Sequence, residues 1–293
     1  MSTASTLSAP LPRWWQSRVV RRFLGHRLAL LGLVMISVLT LACVFGPHLL
    51  PYDSLHIDLR GRFLPPLSGE HYLGTDPLGR DIAARLLMAG RISLMVGFFA
   101  MVLATILGTL VGVVAGYGGR TVNAVLMRLV DGFLSFPTIF LLLALAVALK
   151  PTAIMITVII ALTGWMEVAR IVEAEVRSLK EREFVLAGRM LGLSRAHIMF
   201  REILPNCMGP IIVAATLTVA RAILLEAYIS FLGFGIQPPL PSWGNMLNGA
   251  QQYLGSAPWL AIIPGAAITI AVTSFNFIGD GLRDALDVRN DSF

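Results

Sequence analysis

Charge is scarce in this sequence: 14% of its 293 residues are Asp, Glu, Lys or Arg, against 56% hydrophobic. That is too little polar surface for a soluble chain of this size, so a soluble globular fold is excluded. Lysine is rarer still, with Lys150 and Lys180 the only two. Neither belongs to a G-x-x-x-x-G-K-[ST] pattern, so the chain has no glycine-rich phosphate cradle and is not expected to hydrolyse ATP by itself. Cysteine is limited to Cys43, inside an apolar run, and Cys207, at the edge of one. Two such residues offer neither a disulfide framework nor a metal-ligand spacing, and both read as packing residues. Acids within the apolar runs are nearly absent, Glu226 and Asp131 alone coming near, whereas a proton-coupled carrier places several there. No G-x-S-x-G occurs, and Phe277-Ile278-Gly279-Asp280 lacks the first glycine of a G-x-G-D site. These gaps argue against an intramembrane protease, and no catalytic, cofactor-binding or metal-binding residue is expected on this chain.

What the sequence does have is a series of apolar runs separated by arginine-rich or proline-rich stretches. Residues 1–27 hold Arg13, Arg18, Arg21, Arg22 and Arg27, no acid, and Trp14 and Trp15 as interfacial anchors, the pattern of a cytoplasmic tail. A first span is expected at 28–46, a second at 92–115, a third near 132–149 containing Pro137, and a fourth near 152–166. A fifth begins after Pro205 or Pro210, and a sixth covers 259–279. The fold class is therefore all-α, a polytopic membrane protein with six transmembrane helices and both termini in the cytoplasm. By alternation, the proline-punctuated segment 47–90 is extracytoplasmic, Arg120 and Arg128 mark a short cytoplasmic turn, and Lys150-Pro151 is a tight external turn. Residues 91–283 form the transmembrane core and 284–293 a cytoplasmic tail. The net charge of +6 comes mostly from arginines beside apolar runs; it fits a bilayer as partner and calls for no nucleic acid.

The one long polar segment, 167–206, mixes Arg170, Arg177, Lys180, Arg182, Arg189, Arg195 and Arg201 with six glutamates, so it is expected to face water. Val168, Ile171, Val172, Val176 and Leu179 continue the helical spacing of the preceding span into it. Ser178 and Glu181 have the form of a capping box that starts a new helix, Gly192 stands where a left-handed C-terminal residue is wanted, Ser194 can cap a second helix, and Pro205 stops that helix. Two short helices around a glycine elbow are predicted.

Within this segment Ala187, Gly192 and Leu204-Pro205 resemble the cytoplasmic EAA loop of the permease subunits of ATP-binding-cassette importers, with Leu186 where that family has Glu and Gly188 where it has the second Ala. Three further stretches resemble the same family. HYLGTDPLGRDIAARLLMAGRISLMVG, ending at Gly97, is similar to the dipeptide, oligopeptide and nickel branch; SFLGFGIQPPLPSWGNML, 230–247, to the external re-entrant segment; and GDGLRDALD, 279–287, to the C-terminal match. The resemblance implies the type I importer permease fold and a transport subunit without catalysis of its own. It implies di- or oligopeptides as the solute, with nickel chelates or another small solute as the alternative, a second homologous permease, two ATPase subunits carrying ATP and Mg, and an extracytoplasmic solute-binding protein in a bacterial inner membrane. It also implies a coupling role for Glu183, Phe184, Val185, Leu186, Ala187, Gly188, Gly192 and Ser194.

Two polar features lie outside that loop. Asp76, Arg80 and Asp81 suggest a salt-bridged turn leading into a helix. Arg221 and Glu226 fall inside the fifth span, where a charge costs roughly 2.5–3.5 kcal/mol at the centre. Five positions apart, they do not face each other on a helix, so partners on neighbouring helices are expected, in a gate or an interhelix contact.

Overall fold

The computed structural model describes residues 18–69, 71–149 and 152–286. The tail readings for 1–17 and 287–293 and the Lys150-Pro151 turn lie outside the described residues. The described chain forms α1 (Arg18–Gly25), α2 (Arg27–Leu49), α3 (Ile82–Tyr117), α4 (Arg120–Leu134), α5 (Thr138–Ala148), α6 (Ala153–Leu179), α7 (Glu183–Met190), α8 (Arg195–His197), α9 (Leu204–Phe231), α10 (Trp243–Ala250) and α11 (Trp259–Leu286). Two isolated bridges in the 68–81 region are the extended pairings among the described residues.

The central seam is α3 against α6. Gly108, Gly112 and Gly116 recur every fourth residue on α3, and a Cβ added to each would lie 2.6, 2.7 and 2.8 Å from Val168, Val172 and Val176 of α6, respectively. The same added atoms would meet the backbone oxygens of Trp165, Ala169 and Glu173 just as closely. Removing the side chains lets the two backbones touch, the small-x-x-x-small mode of helix packing in lipid. Because both series ascend together, α3 and α6 run parallel.

Several elements differ from the sequence-based expectation. The second span is part of a longer helix that begins at Ile82, where the Asp81 side chain accepts the Ala84 N–H. Arg120 and Arg128 lie on a helix of its own, α4, after the Gly118-Gly119 break. The third span is interrupted: α4 and α5 meet at an 81° bend. Pro137 sits at that break as the residue before α5, because its ring bars a continuing helix and it has no N–H to donate.

Bent or not, α4 and α5 together traverse the bundle. Asn123, near the start of α4, donates to Glu173 at 2.6 Å, close to the far end of α6. Val130 packs with Met166 and Ala169, and Leu142 and Ala146 of α5 pack with Ile156 and Ile160 near the start of α6. With α2, α3, α6, α9 and α11 each long and apolar enough to cross, the pair supplies the sixth crossing.

Candidate functional site

At one end of the bundle, α6 hands over to α7 through a tight turn in which Arg182 N–H donates to Leu179 O at 3.0 Å. Ser178 does not open a new helix: it lies within α6, whose apolar stripe stays packed through Val176, and Arg182 occupies the position before α7. The other end of α7 closes as a Schellman motif. Leu193 N–H reaches Gly188 O at 3.1 Å and Gly192 N–H reaches Arg189 O at 3.0 Å, with Gly192 at φ +76°, a conformation that side chains disfavour. Ser194 then caps the next turn, accepting the His197 N–H at 3.2 Å.

The second helix of the elbow does not stop at Pro205. Residues Arg195–Phe231 form one unbroken helical rod, with a π-helical stretch at Ile198–Ile203 in which Leu204 N–H reaches back to Met199 O. A wider turn shifts the bonding register ahead of Pro205, so the proline falls in the first turn of α9 where its missing N–H is tolerated. The elbow is thus mechanically continuous with a membrane span.

The predicted coupling residues divide between two faces. Val185 and Gly188 are buried, Val185 within one buried cluster that also holds Val172 and Val176 of α6 and Ile198, so they moor α7 to the bundle. Gly188 suits this position: an added Cβ would sit 3.3 Å from Leu193. Glu183, Phe184, Leu186, Ala187, Gly192 and Ser194 are exposed. Sequence reading missed two further apolar side chains on the open surface, Met190, 90% exposed, and Leu191, 81% exposed. Their spacing from Leu186 and Ala187 is helical and was the available signal. Lys180 Nζ donates to Gly116 O at 3.2 Å, tying the elbow to the end of α3.

The opposite end carries the salt-bridged turn. Asp76 accepts from the backbone of Leu78 and Arg80 and from Arg80 Nε at 2.6 Å, while Arg85 lies 3.5 Å away. Asp81 caps α3 and holds His71 Nδ1 at 2.8 Å. Glu226 is fully buried and accepts hydrogen bonds from Ser93 of α3 and Ser230 of α9, both at 2.7 Å. Those serines in turn accept the backbone N–H groups of Trp243 and Ile236, so Glu226 staples the 232–243 segment to the bundle. Arg221 pairs instead with Glu167 of α6, and Arg170 with Asp131 of α4.

Six crossings, an apolar helix presented on a glycine elbow and a stapled segment at the far end match a known transport family. The description "binding-protein-dependent transport system inner membrane component" fits residues 108–291, and "N-terminal TM domain of oligopeptide transport permease C" fits residues 14–66. The chain belongs to this family of importer permeases. The permease is 44% identical over 284 residues to a putative peptide permease protein of Brucella suis biovar 1, covering 96% of this chain and 94% of that one. It is 42% identical over 264 residues to the dipeptide transport system permease protein DppC of Alkalihalophilus pseudofirmus, covering 90% and 86%. It is 38% identical over 275 residues to the oligopeptide transport system permease protein OppC of Bacillus subtilis, covering 94% and 90%. A chain of the MetNI methionine ABC transporter in an inward-facing form superposes with a TM-score of 0.58 at 20% identity, covering 69% of the permease and 96% of that chain. The ATP-binding-cassette importer permease fold is therefore shared. Membership places the permease in the peptide branch of these importers, as a multi-pass membrane subunit that works with ATPase and binding-protein partners.

Proposed function

We propose that the permease forms half of the solute passage of an ATP-driven, binding-protein-dependent importer of di- or oligopeptides, beside a second homologous permease, above two ATPase subunits and beneath one extracytoplasmic solute-binding protein. Both termini and the elbow lie in the cytoplasm of a bacterium, 47–90 and the stapled segment lie outside, and ATP with Mg is held by the partner ATPases. The observation that carries this reading is α7: a helix moored by Val185 that turns Phe184, Leu186, Met190 and Leu191 outward at the end of the bundle. Exposed apolar side chains on a short moored helix are anchors for helix-in-groove docking. Closure of the ATPase dimer would push α7, and the rod from Arg195 to Phe231 would carry that displacement into the membrane as rigid-body motion.

The test is a four-component complex with Phe184→Ala and Leu186→Ala together, or Met190→Ser and Leu191→Ser together. ATPase co-purification and peptide-stimulated ATP hydrolysis should both fall at least about tenfold, the loss of about 1.4 kcal/mol of docking energy, while membrane insertion stays normal. Wild-type uptake by those variants, or peptide uptake into liposomes holding this chain without ATPase subunits, would overturn the reading.

A further inference from the structure

Arg221 and Glu167 are the feature that the coupling elbow and the stapled segment leave unexplained. They form an ion pair between α9 and α6, yet the side chains remain 46% and 50% exposed. Arg221 lies ten residues from the end of α9 and Glu167 fourteen from the start of α6, roughly 15 and 21 Å along helices rising about 1.5 Å per residue. Those two helix ends lie on the same side of the bundle, and taking them as the outer edge of a hydrocarbon layer about 30 Å thick puts the pair near its middle. Half-exposed charges at that depth do not face lipid; they face protein or water.

What they face is a concavity of about 190 Å³ whose wall is otherwise mostly apolar, with Ala100, Ala104, Gly164, Ala214 and Ala222 beside larger side chains such as Ile160 and Leu217. Small side chains on three helices leave it open, and with the share of liquid volume of one water at about 30 Å³, it has room for several waters or a small solute. Its charges sum to zero. A solute bearing a single charge would pull one partner away and leave the other without a counter-charge part-way across the membrane, which is costly. A zwitterion has no such penalty, since its carboxylate takes the guanidinium in bidentate fashion while its ammonium takes the freed carboxylate.

We propose that Arg221 and Glu167 are a subsite within the passage for the free carboxylate and ammonium groups of a zwitterionic peptide, exchanging their mutual ion pair for two ion pairs to the solute. This inference rests on the peptide-importer reading. In the complete complex in proteoliposomes, Leu225→p-benzoylphenylalanine, on the wall of the same concavity, should capture radiolabelled dipeptide on irradiation during ATP-driven uptake, whereas the same substitution at Leu41 on α2 should not. Arg221→Gln should cut dipeptide uptake about tenfold, about 1.4 kcal/mol, with subunit assembly and binding-protein-stimulated ATP hydrolysis retained. Capture of the second permease instead of peptide, uptake unchanged in Arg221→Gln, or assembly lost in Arg221→Gln and restored along with uptake by Arg221→Glu with Glu167→Arg would each overturn the subsite. Failure of the unaltered complex to take up any peptide would instead sink the peptide reading itself.

Discussion

At Gly192 the backbone, and not the space around it, sets the requirement. Nothing lies within 4 Å of an added Cβ, but φ is +76°, a region that asparagine tolerates and β-branched residues avoid. Gly192→Val should therefore cost about 1–3 kcal/mol at that one position and misdirect α7, lowering ATPase co-purification, while Gly192→Asn retains it. Equal loss in both variants would point to a side-chain clash with a partner and away from backbone strain. The left-handed glycine was legible in the sequence because its neighbours end a helical pattern. The partners of Arg221 and Glu226 were not. That neither could satisfy the other followed from helical rotation, but which helices answer them depends on how α3, α6 and α9 are placed, and Glu167 read as one more acid in a water-facing loop. Val185 and Gly188 came with the coupling residues through the family resemblance, which runs along the sequence; that both lie on the inward face of α7 needed the packing.

Among the elements, the α3–α6 seam is the one with least slack. Gly112→Leu would drive a Cβ into the Ala169 oxygen at 2.7 Å, a backbone atom with no rotamer to change, so the helices must part along the whole valine row. Overpacking of this kind costs about 1–3 kcal/mol, and the variant should show a lower thermal midpoint in detergent and lower yield. Gly132→Ala on α4, with nothing within 4 Å, serves as the control and should match the unaltered chain; if Gly112→Leu did so too, the seam would not be a tight contact. The four-residue spacing of Gly108, Gly112 and Gly116 is visible in the sequence, though the valine row that it meets needed the structure. Proline was the less dependable signal. At Pro137 the helix breaks as the ring requires, whereas at Pro205 a π-helical stretch absorbs the same defect and Pro210 and Pro264 lie inside helices. A lone proline states a local cost, and tertiary packing decides whether the chain bends or carries on.

For the whole molecule the question is parity. Five unbroken spans would put the two ends of the described chain on opposite sides; six put them together. The bent α4–α5 pair settles this by its contacts, passing from Glu173 at one end of α6 to Ile156 at the other. The ends of the described chain agree. Ala29 at the start of α2 meets Gly281 near the end of α11, His26 lies 3.4 Å from Asp284, and Gly209, just beyond the elbow, faces Leu286. The start of α2, the end of α11 and the elbow thus share one face, the one that the proposed function, from the arginine bias, puts in the cytoplasm. In a background in which Cys43 and Cys207, both buried, are replaced by serine, Ile57→Cys, at an exposed position, should react with a membrane-impermeant maleimide added to intact cells. Ser178→Cys, exposed at the end of α6, should react only after the membrane is opened. Labelling of Ser178→Cys from outside, with Ile57→Cys protected, would invert the orientation; labelling of both from outside would remove one crossing, and the α4–α5 pair would then be re-entrant.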